Sequence, residues 1–348
     1  MSNQPVVIAD SGMVCGVGLD APSACAAIRC AMDNFQETRF VDKGGEWIIG
    51  SSVPLATHWR GRTKLAKMAS MALQECLQHF ATVPSEIPLF LCVAERERPG
   101  RMDGLEEHLF GEIEAELGYQ FHAQESRGIP LGRVSAAVAL KHARELIYEK
   151  QFPYVLIAGV DSLLNGATLG EFEAEDRLLT SQNSNGFIPG EAAAAILVCH
   201  PSLVSASDRG RLLCQGLGFA QEEATVTAER PLRADGLTAA IKNALADAQC
   251  TMGDLDFRIA DVSGEQYYFK EAALALTRTL RTRKEHFYIW HPADCIGEVG
   301  AAMGVVMLVV ALAGSRKGYA SGRQLLCQFG NDAGQRAVAI SRYETAGA

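Results

Sequence analysis

Apolar and polar positions along this chain sort into short apolar runs and longer runs of helical period, in alternation. "PVVIADSG" is a compact β-branched run, and "DAPSACAAIRCAM" follows it with Asp20 in the N-cap position, so a strand and then a helix are predicted. A helix over Thr63–His79 leads into the strand "PLFLCVA", and a helix over Val134–Glu149 leads into the strand Tyr154–Gly159. After "SNGFIPGE" comes "AAAAILV", an apolar run of strand length. The second half repeats this order. "CQGLGFA" reads as a strand, "GLTAAIKNALADAQC" as a helix, "FRIADVSG" as a strand and "FKEAALALTRTL" as a helix. "HFYIW" is then a strand, Gly297–Gly314 a helix, and "RQLLCQFGND" with "AVAISRY" a closing hairpin. Strands that stay apolar at consecutive positions are buried on both faces, so the pattern predicts an α/β protein with a parallel or mixed sheet covered by helices on each side. It divides into two α/β halves, 1–200 and 211–348, with the Ser- and Asp-rich segment Pro201–Gly210 as the bridge.

Composition adds class boundaries. The 348 residues are enough to bury a large core, and 48% hydrophobic with 21% charged residues is ordinary for a globular protein. A net charge of −9 with no dense Lys/Arg run argues against nucleic acid as a partner. The N-terminus has no basic segment followed by an apolar one, so no signal peptide is expected. The apolar stretch from Val299 to Gly314 is short for a bilayer span and rich in Gly and Ala, which predicts a buried helix and no membrane partner. Ten cysteines, none in a C-x-x-C pair, mostly sit inside apolar runs and read as reduced, buried thiols of a cytoplasmic protein.

Isolated candidates for chemistry are few. His58, His79, His108 and His122 show no metal-ligand spacing, so no metal is expected. "GVGLD" and "CQGLGF" do not make a dinucleotide fingerprint, and no cofactor is expected. Cys295 lies four residues from His291 and beside Asp294, a superficial thiol–imidazole pair that reads more simply as a packed thiol. "ERERPGR" (Glu95–Arg101) mixes both signs and reads as a solvated loop.

Several landmarks taken together carry a resemblance. "VVIADSGMVCGVGLDAPSACAAI", "VLIAGVDSLL", "SNGFIPGEAAAAILV" (with Ala192 where glycine is usual), "CIGEVGAAMGVVML" and "CQFGNDAGQRAVAIS" resemble, in order, segments of the β-ketoacyl synthases of the thiolase fold. The resemblance spans nearly the whole chain. It implies two pseudo-duplicated α/β halves with central mixed sheets in an αβαβα layering. The segment Glu37–Gly118 is where family-specific cap material is reduced.

The same matching implies a degenerate catalytic centre. Such synthases use a Cys at a helix N-terminus as acyl nucleophile, two His residues and a supporting Lys. Here the nucleophile position falls on Arg133 or its neighbour Val134, the first His on Ser263 within a residue or two, the Lys on Ala293 and the second His on Glu298. Asn331 matches the Phe that gates the acyl pocket. Ser135, Cys295 and Asn331 are expected to line what remains of the cleft. A guanidinium stays protonated and cannot form an acyl intermediate, and a carboxylate at 298 repels a developing enolate. Arg133 and Glu298 either pair within the vacated site or reach solvent separately on shifted loops; burial of either one unpaired is costly.

Two function classes follow. One is a non-catalytic thiolase-fold protein acting as a binding or assembly partner, as homodimer or heteromer. The family's precedents are polyketide chain-length factors and, more loosely, degenerate thiolase-like proteins encoded beside bacterial secretion-system effectors, with an accessory role. The other is an acyl-thioester-processing enzyme with displaced chemistry, for which Ser135, Ser263 and Cys295 are the only plausible nucleophiles. Pairing in the family uses the strand before the nucleophile turn, matched here by "GYQFHAQES" (Gly118–Ser126).

Overall fold

The computed structural model describes residues 4–80, 84–204 and 210–345. Among these, ten strands form one mixed sheet and two more form a separate hairpin. The strands are β1 (Val6–Cys15), β2 (Gln36–Val41), β3 (Trp47–Gly50), β4 (Leu89–Cys92), β5 (Arg127–Ile129), β6 (Tyr154–Ser162), β7 (Glu191–Cys199), β8 (Arg211–Gln221), β9 (Phe257–Ala260), β10 (Ile289–Trp290), β11 (Gln324–Gly330) and β12 (Gln335–Glu344). The α-helices are α1 (Ala21–Arg29), α2 (Gly61–Leu77), α3 (Leu105–Leu117), α4 (Ser135–Glu149), α5 (Gly166–Ala174), α6 (Asp235–Ala248), α7 (Gln266–Thr279), α8 (Ala293–Ile296) and α9 (Met303–Arg316).

Strand order in the first half is β5-β4-β6-β7-β1, and in the second it is β10-β9-β11-β12-β8. The two orders are the same topology written twice, with parallel pairs at the outer strands and antiparallel pairs inside. The halves join where Val6–Ile8 of β1 pair antiparallel with Leu212–Cys214 of β8. Layering follows from which side chains share a core. One cluster packs α1, α4 and α9 against inward-facing residues of both half-sheets. A second packs α2 and α3 on the other face of the first half, and a third packs α6 and its neighbours on the other face of the second. The result is the expected αβαβα arrangement, and β7, buried at every position, shows why these strands do not alternate.

The apolar run at Val299–Gly314 is the middle-layer helix α9 with a 3₁₀ lead-in at Gly300–Ala302. Almost all of α9 is buried, and no helix among the described residues is long and apolar enough to cross a membrane. Asp20 caps α1 as expected, accepting from Ser23 N at 2.7 Å.

Several expectations need correction. The predicted single helix at 297–314 is broken, because Gly297 and Gly300 both take positive φ. "HFYIW" contributes only the two residues of β10. The segment Gly118–Ser126 is not a strand: Tyr119 and Phe121 fold inward against α3 and stack edge to face. The sheet edge is instead β5, three residues long. The hairpin β2–β3 and the helices α3 and α5 have no counterpart in the predicted elements. The bridge Pro201–Gly210 includes residues 205–209, which lie outside the described residues.

Candidate functional site

Two glycine-led elbows build the site, one from each half. After β5, Gly132 adopts φ +53°, and a Cβ there would stand 2.3 Å from Glu95 Oε2. Its counterpart Gly300 adopts φ +54°, and a Cβ there would stand 2.2 Å from Asp161 Oδ2. Both positions favour glycine for their conformation, and a Cβ at either would displace a carboxylate of the cleft. Each elbow feeds a short 3₁₀ turn and then a middle-layer helix, so the N-termini of α4 and α9 converge on one cleft. Loops following the C-terminal ends of β4, β6, β9 and β11 close it, the usual location of sites in α/β sheets.

Arg133 stands at the first elbow and is 7% exposed. A cation at a helix N-terminus opposes the helix dipole, so its position needs counter-charge. Glu298 supplies it from the second elbow: Arg133 Nη1 donates to Glu298 Oε2 at 3.2 Å, with both side chains buried. Of the two arrangements open from the sequence, the paired one is present. Arg133 Nη2 also donates to Asp332 Oδ1 at 2.6 Å and to the Tyr268 hydroxyl at 2.8 Å. Glu298 is itself strapped in place. Its N–H donates to Ile188 O and its carbonyl accepts from Gly190 N, while Oε1 accepts from Gly300 N at 2.9 Å.

Two further arginines complete the cluster. Arg177 forks onto Glu265 at 2.8 and 3.0 Å and onto Asp332 at 2.8 and 3.2 Å. Arg98 reaches Asp161 at 2.5 Å and Glu95 at 2.6 and 3.0 Å. "ERERPGR" is thus not a solvated loop: Glu95 and Arg98 turn into the cleft, while Arg96 remains on the surface and pairs with Glu106. The cleft between these side chains is half open, with about 340 Å³ of space that includes open solvent, and its interior has room for one or two ordered waters.

The remaining sequence-derived positions divide into those at the cleft and those away from it. Asn331 lines the cavity and donates from Nδ2 to Leu131 O at 2.6 Å. Ser263 lies beside Glu298, and its Oγ is buried without a hydrogen bond of normal geometry. Val134 is in the apolar middle layer. Ala293 opens α8, with its carbonyl accepting from Gly297 N at 2.8 Å. Ser135 and Cys295, expected to line the cleft, do not. Ser135 Oγ donates to Ile129 O at 2.9 Å and accepts from Leu131 N at 3.1 Å, tying the elbow to the first turn of α4. Cys295 packs toward α1, 3.9 Å from Ile28 O, and burial with nearby Asp294 and Asp33 pushes its thiol up to about 11. His291 pairs with Asp294 at 2.7 Å, so no thiol–imidazole couple forms.

Electrostatics differ among the acids. Burial raises the Glu298 carboxyl above its ordinary range, a push that Arg133 only partly opposes. Asp261, beneath the cluster and accepting from Gly330 N at 2.7 Å, is raised for the same reason. Asp332 is the opposite case: against the cost of burial, Arg133 and Arg177 hold it well below the usual carboxylate range. The signs predict distinct pH profiles. Asp332 stays ionised in the fold down to pH values below its unfolded range near 3.9, so the deficit of Asp332→Asn stays level from about pH 8 to 5. The fold binds a proton on Glu298 more tightly than the unfolded chain does, so wild type gains on Glu298→Gln as the pH falls from about 7 to 5. Thermal midpoints of the two variants against wild type across that range check both. A level Glu298→Gln profile would mean an unperturbed Glu298.

Solved structures place this architecture. A chain from the complex of a type II polyketide synthase acyl-carrier protein with its ketosynthase bound to the hexaketide superposes with a TM-score of 0.79 at 14% identity, over 98% of this chain and 100% of that one. The ishigamide ketosynthase/chain length factor gives 0.79 at 15% identity, over 99% and 100%. The oxazolomycin ketosynthase domain of Streptomyces albus gives 0.77 at 14%, over 98% and 75%. The fold is that of the ketosynthases. No family model matches the chain, and no curated protein matches it. At this identity the likeness concerns backbone architecture, and the ion cluster is read from this chain alone.

Proposed function

We propose that this chain is a non-condensing protein of the ketosynthase fold that works by binding another protein. One observation carries the reading. The position expected for the acyl nucleophile holds a guanidinium, tied to a carboxylate at the position expected for a catalytic His and to Asp332 and Tyr268. An arginine offers no nucleophile at physiological pH, and no imidazole lines the cavity to activate a thioester. Room for a water or two speaks against a chain-length-factor role that would house a growing acyl chain. Pairing through the free edge β5, as homodimer or heteromer, is the association the fold makes available. Two of the similar structures are named as a ketosynthase with its acyl-carrier protein and a ketosynthase/chain length factor, so partnered states are described for proteins of this shape.

The test is intact-mass spectrometry after incubation with acyl- and malonyl-thioesters, with released CO₂ measured in parallel. The expected result is no mass increase and no CO₂. An adduct abolished by Ser135→Ala or Cys295→Ala would restore an enzyme with displaced chemistry.

A further inference from the structure

Asp332 stands apart from the other acids of the cluster. Arg133, Arg177 and Tyr268 are 7%, 7% and 3% exposed, and all three direct donors at its carboxylate. The Asp332 side chain itself is 33% exposed. It is delivered from the tip of the β11–β12 turn, closed by Gly334 N donating to Asn331 O at 3.0 Å. Each arginine also has a second acid fixed on a different element: Glu298 for Arg133, Glu265 for Arg177. Both of those acids are buried, at 5% and 4% exposure. The cluster thus consists of a deeply buried donor set and one partly exposed carboxylate inserted from the mouth of the cleft.

We propose that Arg133, Arg177 and Tyr268 form a carboxylate-binding site that Asp332 fills as an internal ligand in the free chain. The inference goes beyond the non-condensing role and does not depend on it. The donor geometry selects the class. One oxygen of the bound group takes Arg133 Nη2, Arg177 Nη2 and the Tyr268 hydroxyl, and the other takes Arg177 Nη1, the two-oxygen arrangement of a carboxylate against a guanidinium fork. Charge selects it too. Arg133 and Arg177 already face Glu298, Glu265 and, 3.7 Å from Arg177, Glu175, so each added negative charge works against the cluster's balance and a monoanion is tolerated better than a dianion. A ligand for this site is an acidic side chain or chain terminus of a bound protein, or a small free carboxylate.

Asp332→Ala empties the site while leaving its donors. Thermal midpoints of wild type and Asp332→Ala are followed against acetate, N-acetyl-aspartate amide and phosphate, with chloride holding ionic strength constant. The variant is expected to show a saturable midpoint rise of roughly 2 °C with either carboxylate and a smaller one with phosphate. Adding Tyr268→Phe should weaken the apparent affinity about tenfold. Wild type should not respond, because its tethered carboxylate acts at high effective concentration. A stronger response to the aspartate derivative assigns the ligand to a protein side chain, and a stronger response to acetate assigns it to a free carboxylate. A variant that folds only in the presence of a carboxylate, seen as refolding yield in acetate against chloride, supports the site equally. No rise in the variant, an equal rise in wild type, or phosphate outperforming both carboxylates overturns it.

Discussion

Arg133→Met is expected to cost about 3–5 kcal/mol of folding stability at pH 7, the range found when one member of a buried ion pair is removed. The methionine fills much of the space but leaves Glu298, 5% exposed, facing an apolar side chain, and it leaves Asp332 with Arg177 as its remaining guanidinium. Denaturant unfolding measures the loss. The double variant Arg133→Met/Glu298→Leu should recover at least half of it, since a well-packed apolar pair is often as stable as the buried ion pair it replaces. Glu298 is already raised by burial, and loss of Arg133 raises it further. The deficit of the single variant should therefore shrink as the pH falls from about 7 to 5 and the carboxyl takes up its proton. A loss below about 1 kcal/mol, independent of pH, would mean that Arg133 is solvated and that the clamp across the cleft is not a structural unit.

Gly300→Ala should be nearly as damaging, about 3–5 kcal/mol, although it adds only a methyl group. The backbone φ of +54° costs an L-residue roughly 1–2 kcal/mol. The new Cβ would also lie 2.2 Å from Asp161 Oδ2 and 3.0 Å from Arg98 Nη1, so the Arg98–Asp161 pair must open. Asp161 accepts from Ala301 N as well, at 2.8 Å, and displacing it frees the N-terminal turn before α9. The measurable result is a fall in thermal midpoint with loss of near-ultraviolet circular dichroism, the signature of disturbed packing around an otherwise intact fold. Because α9 is the central layer shared by both half-sheets, that disturbance should reach the whole molecule. An unchanged midpoint would mean that the second elbow has slack that its close contacts do not show.

Much of this architecture is legible in the one-dimensional pattern. The runs "AAAAILV" and "VLIAG" are apolar at successive positions because both faces of β7 and β6 are covered, and that fact alone excludes a one-sided antiparallel sheet. The resemblance puts Arg133 and Glu298 at the positions expected for the nucleophile and the second His, where they are out of place for the condensing chemistry that it implies. The short elements were harder to see. The three-residue edge β5 carries too few positions to show a period, and "GYQFHAQES" alternates like a strand because Tyr119 and Phe121 anchor a loop onto α3. Cys295 sits beside elbow residues in sequence, yet the short helix α8 turns it toward α1 and away from the cleft.

The sequence by itself determined the fold and the repetition of its two halves, because periodicity reports directly on burial. Only the tertiary structure decided what the charges do. Arg133 meets Glu298 across 165 positions and Asp332 across 199, and Arg177 meets Glu265 across 88. Those partners stand on loops at the ends of different strands, where no period constrains them. Whether a guanidinium there is solvated, as "ERERPGR" suggested, or buried, as Arg98 is, depends on which other loops fold over the same strand ends. That convergence is fixed by the packing of both half-sheets on α4 and α9, and no local run of residues encodes it.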